Sequence, residues 1–432
     1  MARSSECPAL LLAAAVGFTV LSSHAAPWKR FTIDNASKGA DGVRLADANG
    51  DGLPDIVTGW EEGGTVRICF HPGTPKVRAP WPSVTVGQAP SVEDAVLVDL
   101  DADGAWDVVS SSEGNARRIS VHWGPPKRDL LKSEQWKTEV LPASELKMKW
   151  MFCLPLDLDG QHGPDLVVGG KNQGAQLGWF ESPVNPRLLD EWKWHPWREA
   201  GWIMSIVGAD MDHDGDRDVV FSDRKGERTG CYWLENPGPN AAASTRWTEH
   251  LIGAAGREVM FLTLADFDRD GLDDVLVTTK KEIVFLHRSD RLGRKWATHS
   301  IPVPSTAGGG KAVAAGDLNL DGRLDIALTC EGANQKSGVI WLSYSSSPFA
   351  SDWKAHDISG QDGVKHDLIE LLDLDGDGDL DVLTCEETRN LGVIWYENPN
   401  GKGQRAQGKG QRAKGKGQRA KGKGHSAEGE EQ

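Results

Sequence analysis

Seven stretches of this chain gather carboxylates at a spacing suited to holding a hard cation. The first runs Asp47-Ala-Asn49-Gly-Asp51-Gly52-Leu-Pro-Asp55, with oxygen-bearing side chains at positions 1, 3, 5 and 9 and glycine at 6. The pattern returns at Asp99, Asp101, Asp103 and Asp107, at Asp157, Asp159 and Asp165, and at Asp210, Asp212, Asp214 and Asp218. Three more copies place it at Asp266, Asp268, Asp270 and Asp274, at Asp317, Asn319, Asp321 and Asp325, and at Asp373, Asp375, Asp377 and Asp381. The glycine permits a sharp turn, so the side chains converge on one point. Calcium takes roughly six to eight oxygen ligands, the remainder coming from backbone carbonyls and water. Two bare carboxylates about 4 Å apart repel by roughly 4 kcal/mol at an effective dielectric near 20, so a cluster of four resists compaction without a cation. Ion binding is therefore expected to couple to folding. The third copy departs from the pattern, with Gln161 and His162 at positions 5 and 6. It is expected to bind calcium weakly or not at all, so the number of ions is at most seven.

The elements around the loops explain how they are positioned. Successive copies begin 52, 58, 53, 56, 51 and 56 residues apart, a repeat long enough for one small sheet. Each loop follows a short apolar run, such as Ala95-Val-Leu-Val98 or Leu262-Thr-Leu-Ala265, and precedes another, such as Val275-Leu-Val277, so it joins two strands. A third segment is rich in aromatics and ends in a turn signal, as in Tyr232-Trp-Leu-Glu-Asn-Pro237 and Ile394-Trp-Tyr-Glu-Asn-Pro399. A fourth opens with tryptophan, as in Trp136-Lys-Thr-Glu-Val140, Trp247-Thr-Glu-His250, Trp296-Ala-Thr-His299 and Trp353-Lys-Ala-His356. Four strands in each of seven units give an all-β, seven-bladed β-propeller of four-stranded antiparallel blades. The last unit stops after its third strand, while Trp28-Lys-Arg-Phe-Thr-Ile33 has the fourth-strand pattern, so the N-terminal strand is predicted to close the last blade. His250, His299 and His356 recur in register three residues after a tryptophan, which marks them as blade consensus and not as a zinc site.

With these loops and strands in view, residues 28–399 resemble the FG-GAP or VCBS repeats of integrin α-subunit propellers and of many secreted bacterial proteins. The resemblance implies the same propeller and calcium in its blade loops. It does not imply an activity, because this fold hosts lectins, adhesion modules and lyases alike.

The face opposite the acidic loops is where the repeats stop resembling each other. The starts of the first strands place Glu93, Asp94, Lys149, Trp150, Trp202, Arg257, Glu258, Lys311, Lys365, His366 and Asp367 there. The ends of the second strands add Glu61, Glu113, Lys171, Asp223, Arg224, Lys225, Glu331, Glu386 and Glu387. Binding residues concentrate on loops held by a rigid scaffold, so this mixed rim is the expected ligand site. Indole faces beside carboxylates and amines suit a sugar, and an extracellular glycan or another cell-surface ligand is the expected partner. The alternative is a carbohydrate-acting lyase or dehydratase, with Lys365, His366, Lys311 or Arg257 abstracting a proton. Propeller domains of some fungal sugar dehydratases and polysaccharide lyases offer an analogy of fold alone. No phosphate-cradling glycine loop, Gly-x-Ser-x-Gly nucleophile or His-Glu-x-x-His motif is present.

Composition sets the compartment. Residues 1–25 have the pattern of a signal peptide, with Arg3, an apolar stretch from Ala9 to Val20 and Ser23-His24-Ala25 before the cut, so export is expected and the propeller spans 26–399. Cys330 and Cys385 occupy matching repeat positions and could pair, while small buried hydrophobes are the simpler reading of the five later cysteines. The net charge of −15 divides unevenly: the tail from Gly401 carries six Lys, three Arg and three Glu, a net +6, leaving −21 for the rest. So acidic a body disfavours nucleic acid and suits cations. The heptapeptide units of the 400–432 tail lack apolar seams, so the tail is expected to be disordered, and its basic charge would suit polyanions.

Overall fold

A computed structural model describes residues 26–243 and 245–401. The expected signal peptide, residues 1–25, and the basic tail beyond Gly401 lie outside the described residues. Seven four-stranded antiparallel sheets follow one another as blades, the first made of Ala40–Ala46, Asp55–Trp60, Thr65–Cys69 and Ser83–Gln88. The first strands of successive blades pack against one another and form the inner wall of the ring. The last blade orders its strands as His366–Leu372, Asp381–Glu386, Gly392–Glu397 and Lys29–Asp34, so the N-terminal strand completes it as the repeat pattern requires.

Second strands are covered on both faces by neighbouring blades, and their apolar runs leave nothing exposed. Every residue of Asp55–Trp60, Asp107–Ser112, Asp165–Lys171 and Asp381–Glu386 is buried. Third strands contribute the largest core rings, with Trp179, Trp233 and Trp395 fully buried. On the next strand outward a histidine lies flat on that tryptophan. His195 stacks on Trp179 at 4.8 Å, His250 on Trp233 at 4.3 Å and His356 on Trp341 at 4.0 Å. His299 meets Phe285 edge-on at 6.2 Å instead. The in-register histidines thus pack the blades.

Cys69, Cys153, Cys231, Cys330 and Cys385 are all buried free thiols. Cys330 and Cys385 sit on the second strands of neighbouring blades. Facing sheets stand roughly 10 Å apart, beyond the roughly 7 Å that a disulfide spans between Cα atoms. Among the described residues no helix is long and apolar enough to cross a membrane.

Candidate functional site

Both ends of the inner strands carry polar clusters, and a local irregularity shapes each. At the end away from the acidic loops, the first strand shifts register against the second in six blades. The shifts fall between Asp41 and Arg44, Val92 and Asp94, Trp150 and Cys153, Ile203 and Ser205, Gly310 and Val313, and His366 and Ile369. Bulges of this kind re-aim side chains. Glu93, Met151, Phe152, Met204, Lys311, Asp367 and Leu368 lie within these irregular stretches, and together they line an axial cavity of about 240 Å³. Asp41, Gly42, Asp94, Glu61, Glu113, Lys171, Trp202, Arg224, Phe261, Glu331 and Lys365 complete its wall.

Most of the charges in this cavity are paired. Lys171 lies 3.0 Å from Glu93 and 2.8 Å from Glu113. Lys311 lies 3.2 Å from Asp367 and 3.8 Å from Glu331, and Lys365 pairs with Glu387. Arg44 grips Asp94 with two 3.0 Å hydrogen bonds while lying over Phe152. Asp41 and Glu61 have no such partner among the described residues, and burial raises the pKa of both. Burial also pushes Glu93 up to about 7 against the pull of Lys171. At the rim, the half-buried Trp202 ring has Lys171, Arg224 and Lys225 each 4.7 Å from its centroid.

Several residues expected on the rim do other work. Trp150 is fully buried in the core, its indole N–H donating to the Ser144 carbonyl at 3.0 Å. His366 is also fully buried, 3.3 Å from the Tyr396 hydroxyl, and burial holds its pKa down at about 4. Both residues precede a bulge and pair with the second strand, Trp150 with Gly170 and His366 with Glu386, so they face the blades and not the channel. Asp223 is buried and accepts the N–H groups of Gly201 and Trp202 together with Arg198, which fixes the Trp202 loop from behind. Glu386 does the same for the opposite loop, accepting from Val364, Lys365, Arg389 and Leu391. Arg257 pairs with Glu282 and Glu258 is exposed, and neither lines the cavity. Lys149 reaches it only through Glu113, at 3.6 Å. Asp41, Met151, Phe152, Met204, Phe261 and Leu368 are cavity residues that the repeat pattern does not single out. A bulge breaks strand alternation without leaving a consensus residue behind.

At the other end of the inner strands stand the acidic loops. The ninth-position aspartate is the anchor, since in every copy one of its oxygens accepts the N–H of position 2, for example Leu100 on Asp107 at 3.1 Å and Leu374 on Asp381 at 3.0 Å. In six copies the first aspartate accepts the N–H of the position-6 glycine, which takes a positive φ, as in Gly104 at 83° and Gly215 at 100°. In the third copy His162 must adopt that left-handed conformation, at φ 63°. Burial pushes the ninth carboxyls up, Asp55 to about 6, Asp107 to about 7 and Asp165 to about 8, despite the backbone N–H groups they accept.

These clusters could hold a metal ion. Asp99, Asp101 and Asp107 bring one oxygen each within 4.8 Å of one another, as do Asp157, Asp159 and Asp165, Asp210, Asp212 and Asp218, and Asp266, Asp268 and Asp270. One oxygen of Asp99 and one of Asp210 are buried without a hydrogen bond, as an ion ligand would be. In three loops an arginine supplies positive charge: Arg187 meets Asp101 and Asp103, Arg78 meets Asp375, and Arg323 meets Asp321 at 2.7 Å.

Known proteins resemble the chain mainly in fold. No curated protein matches it in sequence. Among solved structures, one of an Agrocybe aegerita lectin, described by its recognition of non-reducing terminal N-acetylglucosamine, is 16% identical. It covers 74% of this chain and 80% of its own, with a TM-score of 0.43. BBS1N in complex with ARL6DN, soaked with mercury, is 12% identical over 85% of this chain and 96% of its own, with a TM-score of 0.48. The lead-soaked form of that complex is 11% identical over 87% and 98%, also at 0.48. Likenesses this distant carry no function to this chain. The FG-GAP-like repeat family matches residues 47–110 and 266–328, both beginning at the first aspartate of an acidic loop. With FG-GAP-like repeats matched at two regions and seven four-stranded blades closing one ring, the protein is a seven-bladed β-propeller containing FG-GAP-like repeats.

Proposed function

We propose that this is an exported, calcium-stabilised propeller that recognises carbohydrate, as a glycan or a glycosylated cell-surface ligand, at its axial cavity. The observation that carries the reading is Trp202, half-buried at the rim of a cavity lined with carboxylates. Its indole carries Lys171, Arg224 and Lys225 over the ring and becomes a platform for the apolar side of a pyranose when the long Arg224 and Lys225 side chains swing aside, while the carboxylates accept hydrogen bonds from ring hydroxyls. Arg224 and Lys225 beside it form no salt bridge among the described residues and are available to an acidic sugar. The cavity of about 240 Å³ is smaller than the roughly 300 Å³ at which drug-sized sites begin, so it suits a terminal sugar and not a buried oligosaccharide.

The lyase reading has less support. His366 and Arg257 do not line the cavity, and the two lysines that do are held by carboxylates. Burial lowers the Lys365 pKa, but Asp367, Asp41 and Glu387 together outweigh it and the net shift is upward, which opposes use as a base. The test is a glycan-array screen followed by titration calorimetry. Trp202→Ala should weaken the best neutral or acidic glycan at least tenfold in a variant that still unfolds cooperatively. Equal affinity in the variant, or no glycan bound by the parent, would refute carbohydrate recognition at this rim.

A further inference from the structure

The structure assigns a second kind of cation site, separate from the blade loops, to Asp41, Glu61 and Glu93 in the axial cavity. Each offers an oxygen within 4.8 Å of the other two. They come from two blades: Asp41 stands on the first strand of blade 1, Glu61 just after its second, and Glu93 on the first strand of blade 2. A carboxylate cluster alone would prove little, because exposed acids often crowd together in water. Asp41 is not exposed. Only 8% of its surface is accessible, and its carboxylate lines the cavity without a hydrogen bond or ion pair among the described residues. Glu61 has no side-chain partner either. Lys365 and Lys311 attract Asp41 through space, but the direct contacts of the nearby lysines go to other carboxylates, Lys171 to Glu93 and Glu113, Lys311 to Asp367 and Glu331, and Lys365 to Glu387. A buried charge persists only when paired or bound to a metal. Three carboxylates make a hard donor set for calcium or a similar divalent ion, and the remaining positions open into the cavity, where water or ligand hydroxyls would fill them.

The experiment uses the full chain and calcium alone, so it does not depend on the glycan reading. Bound calcium per chain is counted by equilibrium dialysis for the parent and for Asp41→Asn combined with Glu61→Gln, with Asp99→Asn combined with Asp101→Asn as the blade-loop control. The axial variant should bind one ion fewer than the parent, and the loop control should lose a different ion, so that the two losses add. An axial variant with the parent's stoichiometry overturns the site, as does a parent that binds no ion at all. Thermal unfolding supplies a second reading that survives a poorly behaved double variant. In excess chelator Asp41→Asn, relieved of burial and of repulsion from Asp367 and Glu93, should unfold above the parent, and calcium should close the gap. A midpoint at or below the parent's in chelator would also overturn the proposal.

Discussion

Individual carboxylates in this protein divide between those that hold backbone and those that face a cavity, and the difference is visible only in what each one touches. Asp223 has the composition of a binding residue but the contacts of a brace: the N–H groups of Gly201 and Trp202, and Arg198 at 2.9 Å. Removing it leaves a buried guanidinium that retains only Glu249, at 3.0 Å, as an acidic partner. Breaking a buried pair costs roughly 3–5 kcal/mol, and the surviving Glu249 contact places Asp223→Ala near the lower end, about 3 kcal/mol. Urea unfolding checks this, and a loss under 1 kcal/mol would show that the brace is dispensable. Buried histidines make a second prediction at this scale. His122 bridges the Ser110 and Thr138 hydroxyls at 2.9 and 2.8 Å, and burial, helped by Arg118, pushes its pKa down to about 3. The folded state therefore favours the neutral ring. Its contribution is complete above the unfolded pKa of about 6.5 and is lost as pH falls toward 3, at about 1.4 kcal/mol per pH unit. His122→Gln keeps an amide for the hydroxyls but does not titrate, so stability should fall less steeply between pH 6.5 and 4 than in the parent. Parallel slopes in denaturant titrations would contradict the assignment.

At the scale of the element, strand order and blade number are legible in the sequence because the acidic loop is a rigid local structure with its own residue requirements. The position-2 N–H needs the ninth carboxylate, and the position-6 conformation favours glycine. Such constraints leave the same letters in each blade. The cavity is only half legible. Glu93, Asp94, Trp202, Arg224, Lys311, Lys365 and Asp367 line it as strand ends should. Trp150 and His366 turn away because the bulge that follows each resets the two-residue alternation. Met151, Phe152 and Met204 read as ordinary core residues until that reset points them inward. The loop that breaks its own pattern offers a test. His162 occupies a left-handed conformation that costs a side-chain-bearing residue roughly 1–2 kcal/mol, so His162→Gly should stabilise the protein by about 1 kcal/mol even in chelator. Adding Gln161→Asp completes the oxygen set. That double variant should gain further stability in calcium, rising with ion concentration by mass action. A gain equal in calcium and chelator would mean that the loop acts as a turn alone.

At the scale of the whole molecule, the ring depends on one seam where the two ends of the propeller meet. Lys29–Asp34 runs antiparallel to Gly392–Glu397, pairing Lys29 with Glu397 and Thr32 with Ile394. Phe31 stacks on Trp395 at 4.9 Å. Beyond the seam, the buried Asp34 accepts Arg67 at 2.7 Å, and Arg67 also donates to Thr85 and Ser83, so the closing strand is tied to blade 1 as well as to blade 7. A chain beginning at Ala36 would lose the strand pairing, the Phe31 stack on Trp395 and the Asp34 to Arg67 pair. The loss of the Asp34 to Arg67 pair alone amounts to roughly 3 kcal/mol. Blade 7 would keep three strands and present Gly392–Glu397 as an open edge carrying buried Ile394, Trp395 and Tyr396. Unpaired apolar edges recruit other chains, so the shortened protein should self-associate in light scattering and unfold at a lower temperature. A synthetic peptide of residues 28–35 should restore the monomer by adding back the missing strand, because the backbone ladder and the Phe31 and Asp34 pockets are specific to it. A peptide with Asp34→Ala and Phe31→Ala should rescue poorly. A shortened chain that stays monomeric with an unchanged midpoint would show that the other six blades hold the ring without a closed seam.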